Sequence, residues 1–167
     1  MPDSRPTPQE RAQRLIDVTT NMTVATVGAD GAPWVSPVFF VADSDGDLYW
    51  TSETTARHSQ HIRETGQAAV VIVEPDPDRR VDAVYMAAKV VELSAAEDIA
   101  HGIDVMTRKP QPERWMISGV EDVTGDGPWR IYRAHPESIE VRASDTVNGK
   151  AVARRQAAEF RPHHGAQ

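Results

Sequence analysis

Between residues 23 and 52 the chain reads TVATVGADGAPWVSPVFFVADSDGDLYWTS, three Val- and aromatic-rich runs of strand length separated by GADGAP and DSDGD. Both spacers hold the Gly, Asp and Pro that tight turns need, so this part is constrained to consecutive hairpin-linked strands, about residues 23–28, 33–42 and 48–52. AAVVIVE, from Ala68, is a fourth apolar run, covered on both faces. VDAVYMAAKVVEL is a fifth and longer one, with a bend expected near Ala87 and Ala88. PWRIYRAHPESIEVRAS then reads as two short strands around His135 and Pro136. Strand and helix do not alternate regularly, which favours a mostly β fold with inserted helices, a six-stranded antiparallel barrel of Greek-key type, over a doubly wound parallel sheet.

Helices are announced by their ends. Thr7 can cap, Pro8 takes the first helical position and Glu10 closes a capping box, predicting a helix over about residues 8–20 with Ala12, Leu15 and Ile16 on its apolar face. A short helix from about Thr55 to Thr65 stops at Gly66, a good residue for a left-handed cap. Ser94 and Glu97 form a second box before AAEDIAHGIDVMTRK, which PQP ends. From about residue 144 the apolar content thins, so the expected organisation is one domain over residues 1–143 and a loosely attached or disordered tail over 144–167.

A chain of 167 residues is long enough for one hydrophobic core. Its 18 Lys and Arg against 25 Asp and Glu give a net charge of -7, which argues against a broad nucleic-acid footprint and confines any anion site to a local pocket. Without Cys there is no disulfide, thiolate metal site or cysteine nucleophile. No window approaches the roughly 20 apolar residues of a membrane span. The expectation is a soluble, cytoplasmic protein. DSDGD lacks the glycine and glutamate spacing of a calcium loop and reads as a hairpin turn.

The stretch LYWTSETTARHSQHIRE carries the most chemistry. Arg57 and His58 stand in the first turn of a helix, where basic side chains oppose the helix dipole. An anion held at that helix start would compensate, and Thr51, Ser52, Thr54 and Thr55 add hydroxyls just upstream, as in a monophosphate cradle. In the alternative, Thr54 or Thr55 merely caps the helix while Arg57 and His58 point into water. His58 and His61 have a spacing compatible with a metal, but no third ligand is evident and no metal is expected.

The order TVATVGADGAPWVSPVFFV, LYWTS, ARHSQHI, AAVVIVEP resembles the flavin-binding split-barrel superfamily typified by pyridoxamine 5'-phosphate oxidase, over about residues 15–142. The resemblance implies a split barrel that binds flavin mononucleotide (FMN) in a homodimer, with cofactor sites at the subunit interface. It puts the phosphate on Trp50, Thr51 and Ser52 and on Arg57 and His58, and the flavin ring against Ser36, Val38 and Phe39. Lys89 flanks the site in such relatives, and Trp129 and Arg130 match the late aromatic and basic residues given by a partner chain. Trp34 and Tyr85, with Trp129, are aromatic candidates to touch a planar substrate.

Two departures matter. The late RxH-type pair that grips pyridoxal phosphate is not found, since Arg154 and Arg155 are followed by no His before the tail. The expected activity is therefore an FMN-dependent oxidoreductase acting on a small planar substrate other than pyridoxamine phosphate, with hydride chemistry supplied by the cofactor and no protein catalytic residue assigned. His58 stands where deazaflavin-dependent relatives tend to place Lys, which tilts the cofactor toward FMN over the 8-hydroxy-5-deazaflavin coenzyme. A haem-binding branch of the same barrel uses histidines outside it, and the PHHG tail keeps that branch open, as it does a protein that carries a cofactor without turnover.

Overall fold

The computed structural model describes residues 6–75 and 81–159. The first helix, α1, spans Pro8–Val18 and starts as its sequence dictates: Thr7 Oγ1 accepts from the Glu10 backbone N–H at 3.2 Å, and the Thr7 N–H donates to Glu10 Oε2 at 2.7 Å. Ala12, Leu15 and Ile16 are the buried face. At its other end the Lys109 ammonium donates to the carbonyls of Ile16 and Thr19 at 2.9 and 2.8 Å, and also lies 4.4 Å over the Phe40 ring. A cation there satisfies carbonyls that the helix cannot.

The strands are β1 (Asn21–Val27), β2 (Pro33–Phe39), β3 (Val41–Ala42), β4 (Leu48–Glu53), β5 (Gln67–Pro75), β6 (Val81–Glu92), β7 (Trp129–Val147) and β8 (Lys150–Ala158). Helix α2 (Arg57–Thr65) joins β4 to β5, and α3 (Ala96–Met106) with two single turns, Glu113–Trp115 and Val120–Val123, joins β6 to β7. Every pairing is antiparallel, in the order β2-β1-β5-β6-β7-β4-β3, with β8 on β7.

The expected six strands become eight. Residues 33–42 do not form one strand: at Phe40, whose N–H donates to the Thr20 carbonyl at 3.1 Å, the segment leaves β1 and joins β4. The two ends of the sheet are thus neighbours in sequence, and the sheet wraps a core without closing, because β2 and β4 share no ladder. Around His135 and Pro136 there is a single strand, β7, and not two. Ala87 opposes Ser138 while Ala88 opposes Pro136, so a bulge leaves Glu137 over and takes up a residue that has no N–H to give. The bend expected at Ala87 and Ala88 is this bulge.

Beyond residue 143 the chain is also ordered where it is described. β7 runs to Val147, turns at Asn148 and Gly149 with φ of 52° and 76°, and returns as β8 to place Ala158 in the core. Two successive positive φ values make the tight hairpin turn that Asn-Gly favours. The remaining expected tail, residues 160–167, lies outside the described residues. The box expected from Ser94 and Glu97 does not form: α3 begins at Ala96 after Ala95, with no side chain on its free N–H groups.

Two apolar clusters result. One fills the barrel, with Val24, Phe40, Leu48, Trp50, Ile72, Val84, Tyr132 and Val141 among its members. The other, with Val41, Tyr49, Leu93, Ile99, Met106 and Ile131, lies between the barrel wall and α3. β4 feeds both by alternation, Leu48 and Trp50 inward and Tyr49 outward.

Candidate functional site

Helix α2 packs on β1, β2 and β6. Its first turn has Ala56 as cap, which offers no side-chain hydrogen bond, so neither Thr54 nor Thr55 closes the helix start. Their carbonyls serve α2 in another way, accepting from Arg63 Nη2 at 2.6 Å and Gln60 Nε2 at 3.0 Å respectively. Gly66 ends the helix at φ 66°, with its N–H on the Ile62 carbonyl at 2.8 Å.

Arg57 and His58 diverge at this start. Arg57 is exposed, its guanidinium 4.3 Å over the indole of Trp34, and no carboxylate among the described residues pairs with it. The expectation that the His58 side chain faces a phosphate beside it is not met, since the ring turns inward. His58 is 6% exposed, with Nδ1 3.0 Å from Ser36 Oγ and Nε2 2.8 Å from Ser52 Oγ. Burial pushes its pKa below the ordinary value, and His61 nearby adds to this while Glu53 opposes it.

A chain of hydrogen bonds runs through the ring. The Trp34 indole can only donate, and does so to Ser36 Oγ at 3.0 Å; Ser52 Oγ donates to Glu53 Oε2 at 3.5 Å. Each hydroxyl gives and receives once if Ser36 donates to Nδ1 and Nε2–H donates to Ser52. In that arrangement a neutral imidazole protonated on Nε2 spans the opening between β2 and β4.

A second imidazole works alongside. His61 Nδ1 lies 3.1 Å from the buried Thr26 Oγ1 on β1, and a side chain at Gly28 would meet its Nε2 at 2.9 Å. Among the described residues the buried polar side chains are Thr26, Ser52, His58, Ser59 and His61, all on α2 or on strands beside it. No group of three metal-ligating side chains occurs among the described residues. Sequence reasoning paired the two histidines with each other. The short hydroxyl residues on the strands were the missed partners.

The other expected residues divide by side-chain direction. The Trp50 side chain is fully buried, stacked on Tyr132 at 5.6 Å, and Val38 also lies in the barrel core, so neither side chain faces a ligand. Phe39 packs partly buried on the outer cluster, as does Trp129. Thr51 is half-buried on β4, opposite Ile131. Arg130 opposes Ser52, but its guanidinium donates to the carbonyls of Gly125, Gly127 and Trp129 at 2.5–3.0 Å and so holds its own loop.

Lys89 is exposed and paired with Glu137 at 2.9 Å. Tyr85 lies on the opposite face of the sheet from Trp34, in a groove of about 360 Å³ floored by Ala25, Ala69 and Ala87, with the Arg155 guanidinium 3.6 Å over its ring. The structure thus brings Trp34, Ser36, Ser52, Arg57 and His58 together at the opening and leaves Tyr85 and Lys89 apart.

Solved structures of other proteins share this fold. They include a haem-binding protein from Mycobacterium smegmatis (TM-score 0.67, 17% identity, 95% of this chain and 63% of that one). The haem storage protein HutZ from Vibrio cholerae matches with TM-score 0.61 and 20% identity over 78% of this chain and 92% of that one. General Stress Protein 26 from Bacillus anthracis matches with TM-score 0.60 and 13% identity over 80% and 92%. The chain spans under two thirds of the mycobacterial protein's length. No curated protein sequence matches it. The sequence pattern of pyridoxamine 5'-phosphate oxidase matches residues 8–143, from the first residue of α1 into β7, and the chain therefore belongs to the pyridoxamine 5'-phosphate oxidase family.

Proposed function

We propose that this chain binds flavin mononucleotide at the opening between β2 and β4 and acts, as a homodimer, as a flavin-dependent oxidoreductase on a small planar substrate. The observation that carries the reading is Arg57: an exposed guanidinium that no carboxylate among the described residues pairs with, at the start of a helix whose cap, Ala56, has no side-chain hydrogen bond to give. Phosphate fits those donors, with the hydroxyls of Thr51, Thr54 and Thr55 upstream. Ser52 and His58 are turned inward and hold the cradle from behind. Among the described residues β2 has a strand partner on one side only, so its backbone offers an edge for the flavin ring.

The flavin, when bound, supplies the hydride chemistry. This chain's residues do the rest: Arg57 binds the phosphate, Trp34 presents an aromatic face held by Ser36 and Arg57, and the two hydroxyls on His58 keep β2 and β4 at a fixed spacing. In a homodimer the Trp129 and Arg130 region of a second copy would complete the cleft. Pyridoxamine phosphate is not the proposed substrate, since no His follows Arg154 and Arg155 before the tail.

Haem binding without turnover is the second reading, because two proteins of the same fold bind or store haem. The four described histidines favour flavin: His58 and His61 are buried on hydroxyls, and His101 and His135 are paired with Asp43 and Asp47. An absorbance spectrum of the purified chain after loading and gel filtration tests the choice. Flavin bands retained at dimer size support the proposal. A chain that refuses FMN and retains the deazaflavin coenzyme or haem overturns it.

A further inference from the structure

Arg57 rests on a ring and not on a carboxylate. Its guanidinium lies 4.3 Å over the indole of Trp34, and no acidic side chain among the described residues pairs with it. We propose that Trp34 is a positioning residue for this cation: its ring holds Arg57 at the start of α2 with charge and N–H donors left for a phosphate, and so raises the preference for a phosphorylated flavin over an unphosphorylated one. The proposal rests on the flavin reading above and adds to it a residue that acts on the phosphate through Arg57.

The kind of contact decides what Arg57 can still do. A carboxylate in the place of Trp34 would engage two of the five guanidinium N–H donors and offset the charge that a phosphate needs. An aromatic face attracts the cation through its quadrupole and takes no donor. The fork of Arg57 has no acceptor among the described residues and stays open. A free arginine also gives up rotamer freedom when it binds an anion, whereas one already resting on a ring has given up part of it beforehand.

The ring is itself held in place. Trp34 stands on β2 opposite Thr26, and its Nε1–H donates to Ser36 Oγ at 3.0 Å, which lies 3.0 Å from His58 Nδ1. His58 follows Arg57 in α2 and is buried, so contacts run from Arg57 through Trp34, Ser36 and His58 back to the same helical turn. Ring and guanidinium are thus fixed relative to one helix start. Trp34 is 40% exposed and belongs to neither apolar cluster, so core packing does not account for a tryptophan here.

The test compares flavin mononucleotide with riboflavin, which lacks only the phosphate, by fluorescence titration of the full chain. The ratio of the two affinities cancels whatever Trp34 gives to the flavin ring itself. Trp34→Leu is expected to lower that ratio about threefold to tenfold, the size of an exposed cation–π contact and the rotamer freedom it restricts. Trp34→Phe, which keeps an aromatic face, should recover most of it, and in an Arg57→Ala background Trp34→Leu should leave the ratio as it was. Trp34→Gln, also without a ring, serves if the leucine variant does not fold. An unchanged ratio, a phenylalanine variant no better than leucine, or an equal fall without Arg57 overturns the proposal.

The ligand-free chain separates this claim from the flavin reading. Arg57 side-chain NMR signals should carry a ring-current shift in the wild type and lose it in Trp34→Leu, and a wild type without that shift overturns the proposal. If the chain takes up neither flavin, inorganic phosphate is titrated against the same signals. Weaker phosphate binding in Trp34→Leu than in the wild type then keeps Trp34 as a positioning residue and sinks the flavin reading alone; equal binding, or none, overturns both.

Discussion

His58 Nε2 stands 2.8 Å from Ser52 Oγ, so a helix residue reaches back to the strand that leads into the helix. The contact orients the whole first turn of α2. Neighbouring residues on a helix point about 100° apart, so fixing His58 inward sends Arg57 outward, onto Trp34. The position of the free guanidinium is thus set by a buried imidazole beside it.

Arg57→Ala is expected to weaken flavin mononucleotide by about tenfold to a hundredfold, the size of hydrogen bonds to a charged group, while leaving the melting temperature nearly unchanged. Arg57 is exposed, and the Trp34 ring that it lies over is itself 40% exposed. Fluorescence titration with the flavin and a thermal melt measure the two. Full affinity in the variant would remove Arg57 from the phosphate site.

His58→Ala should behave in the opposite way, lowering stability by about 1–3 kcal/mol through the hydroxyls it strands, with Ser52 the more deeply buried. The wild type carries a related pH signature. Its folded-state pKa is lowered, so below the unfolded value of about 6.5 the unfolded chain binds more protons and stability falls with pH, levelling off once the folded ring is protonated too. Denaturant melts from pH 8 to pH 5 should show this slope and its loss in His58→Ala. An unchanged slope would assign it to other groups.

How far the sequence was legible depended on how local each cause is. The box of Thr7 and Glu10, the cap at Gly66 and the turns at GADGAP and DSDGD lie within a few residues of what they determine, and each was readable. The inward turn of His58 was not, since its partners are Ser36, 22 positions upstream, and Ser52, which read as a phosphate donor. The partner change at Phe40 was hidden because both halves are apolar strand. The hairpin after residue 143 was missed for another reason: β8 is exposed along nearly all its length and offers no apolar alternation, yet Asn148-Gly149 was a usable local signal.

Lys109→Met tests a joint far from the site. The ammonium is pulled down in pKa by burial and compensated by the carbonyls of Ile16 and Thr19 and by the Phe40 ring. Methionine keeps much of the stem's bulk and leaves two carbonyls without that donor, so a loss of about 1–3 kcal/mol is expected in denaturant melts. Flavin affinity should stay as it was, because the carbonyls and the ring that Lys109 holds belong to α1 and to the core and not to the residues at the opening. A neutral result would mean that water satisfies those carbonyls equally well.

Truncation after Ala143 asks whether the final hairpin belongs to the domain. β8 pairs with β7 from Ile139 to Val147, Ala158 lies in the barrel cluster, and α1 packs on β8. Removing it would strip the β8 partner from Ile139 and Val141, which keep β6 on their other side, and open one side of the seat of α1. Arg11 adds to that seat, donating to the Arg142 carbonyl at 2.6 Å and pairing with Asp82. A loss of about 2–3 kcal/mol follows, which for a chain of this size lowers the melting temperature by about 5–10 °C. The hairpin lies on the opposite side of β7 from β6, away from α2, so the surviving fraction should bind flavin as the full chain does. A truncated chain as stable as the full one would show that the domain ends near residue 143, as its composition first suggested.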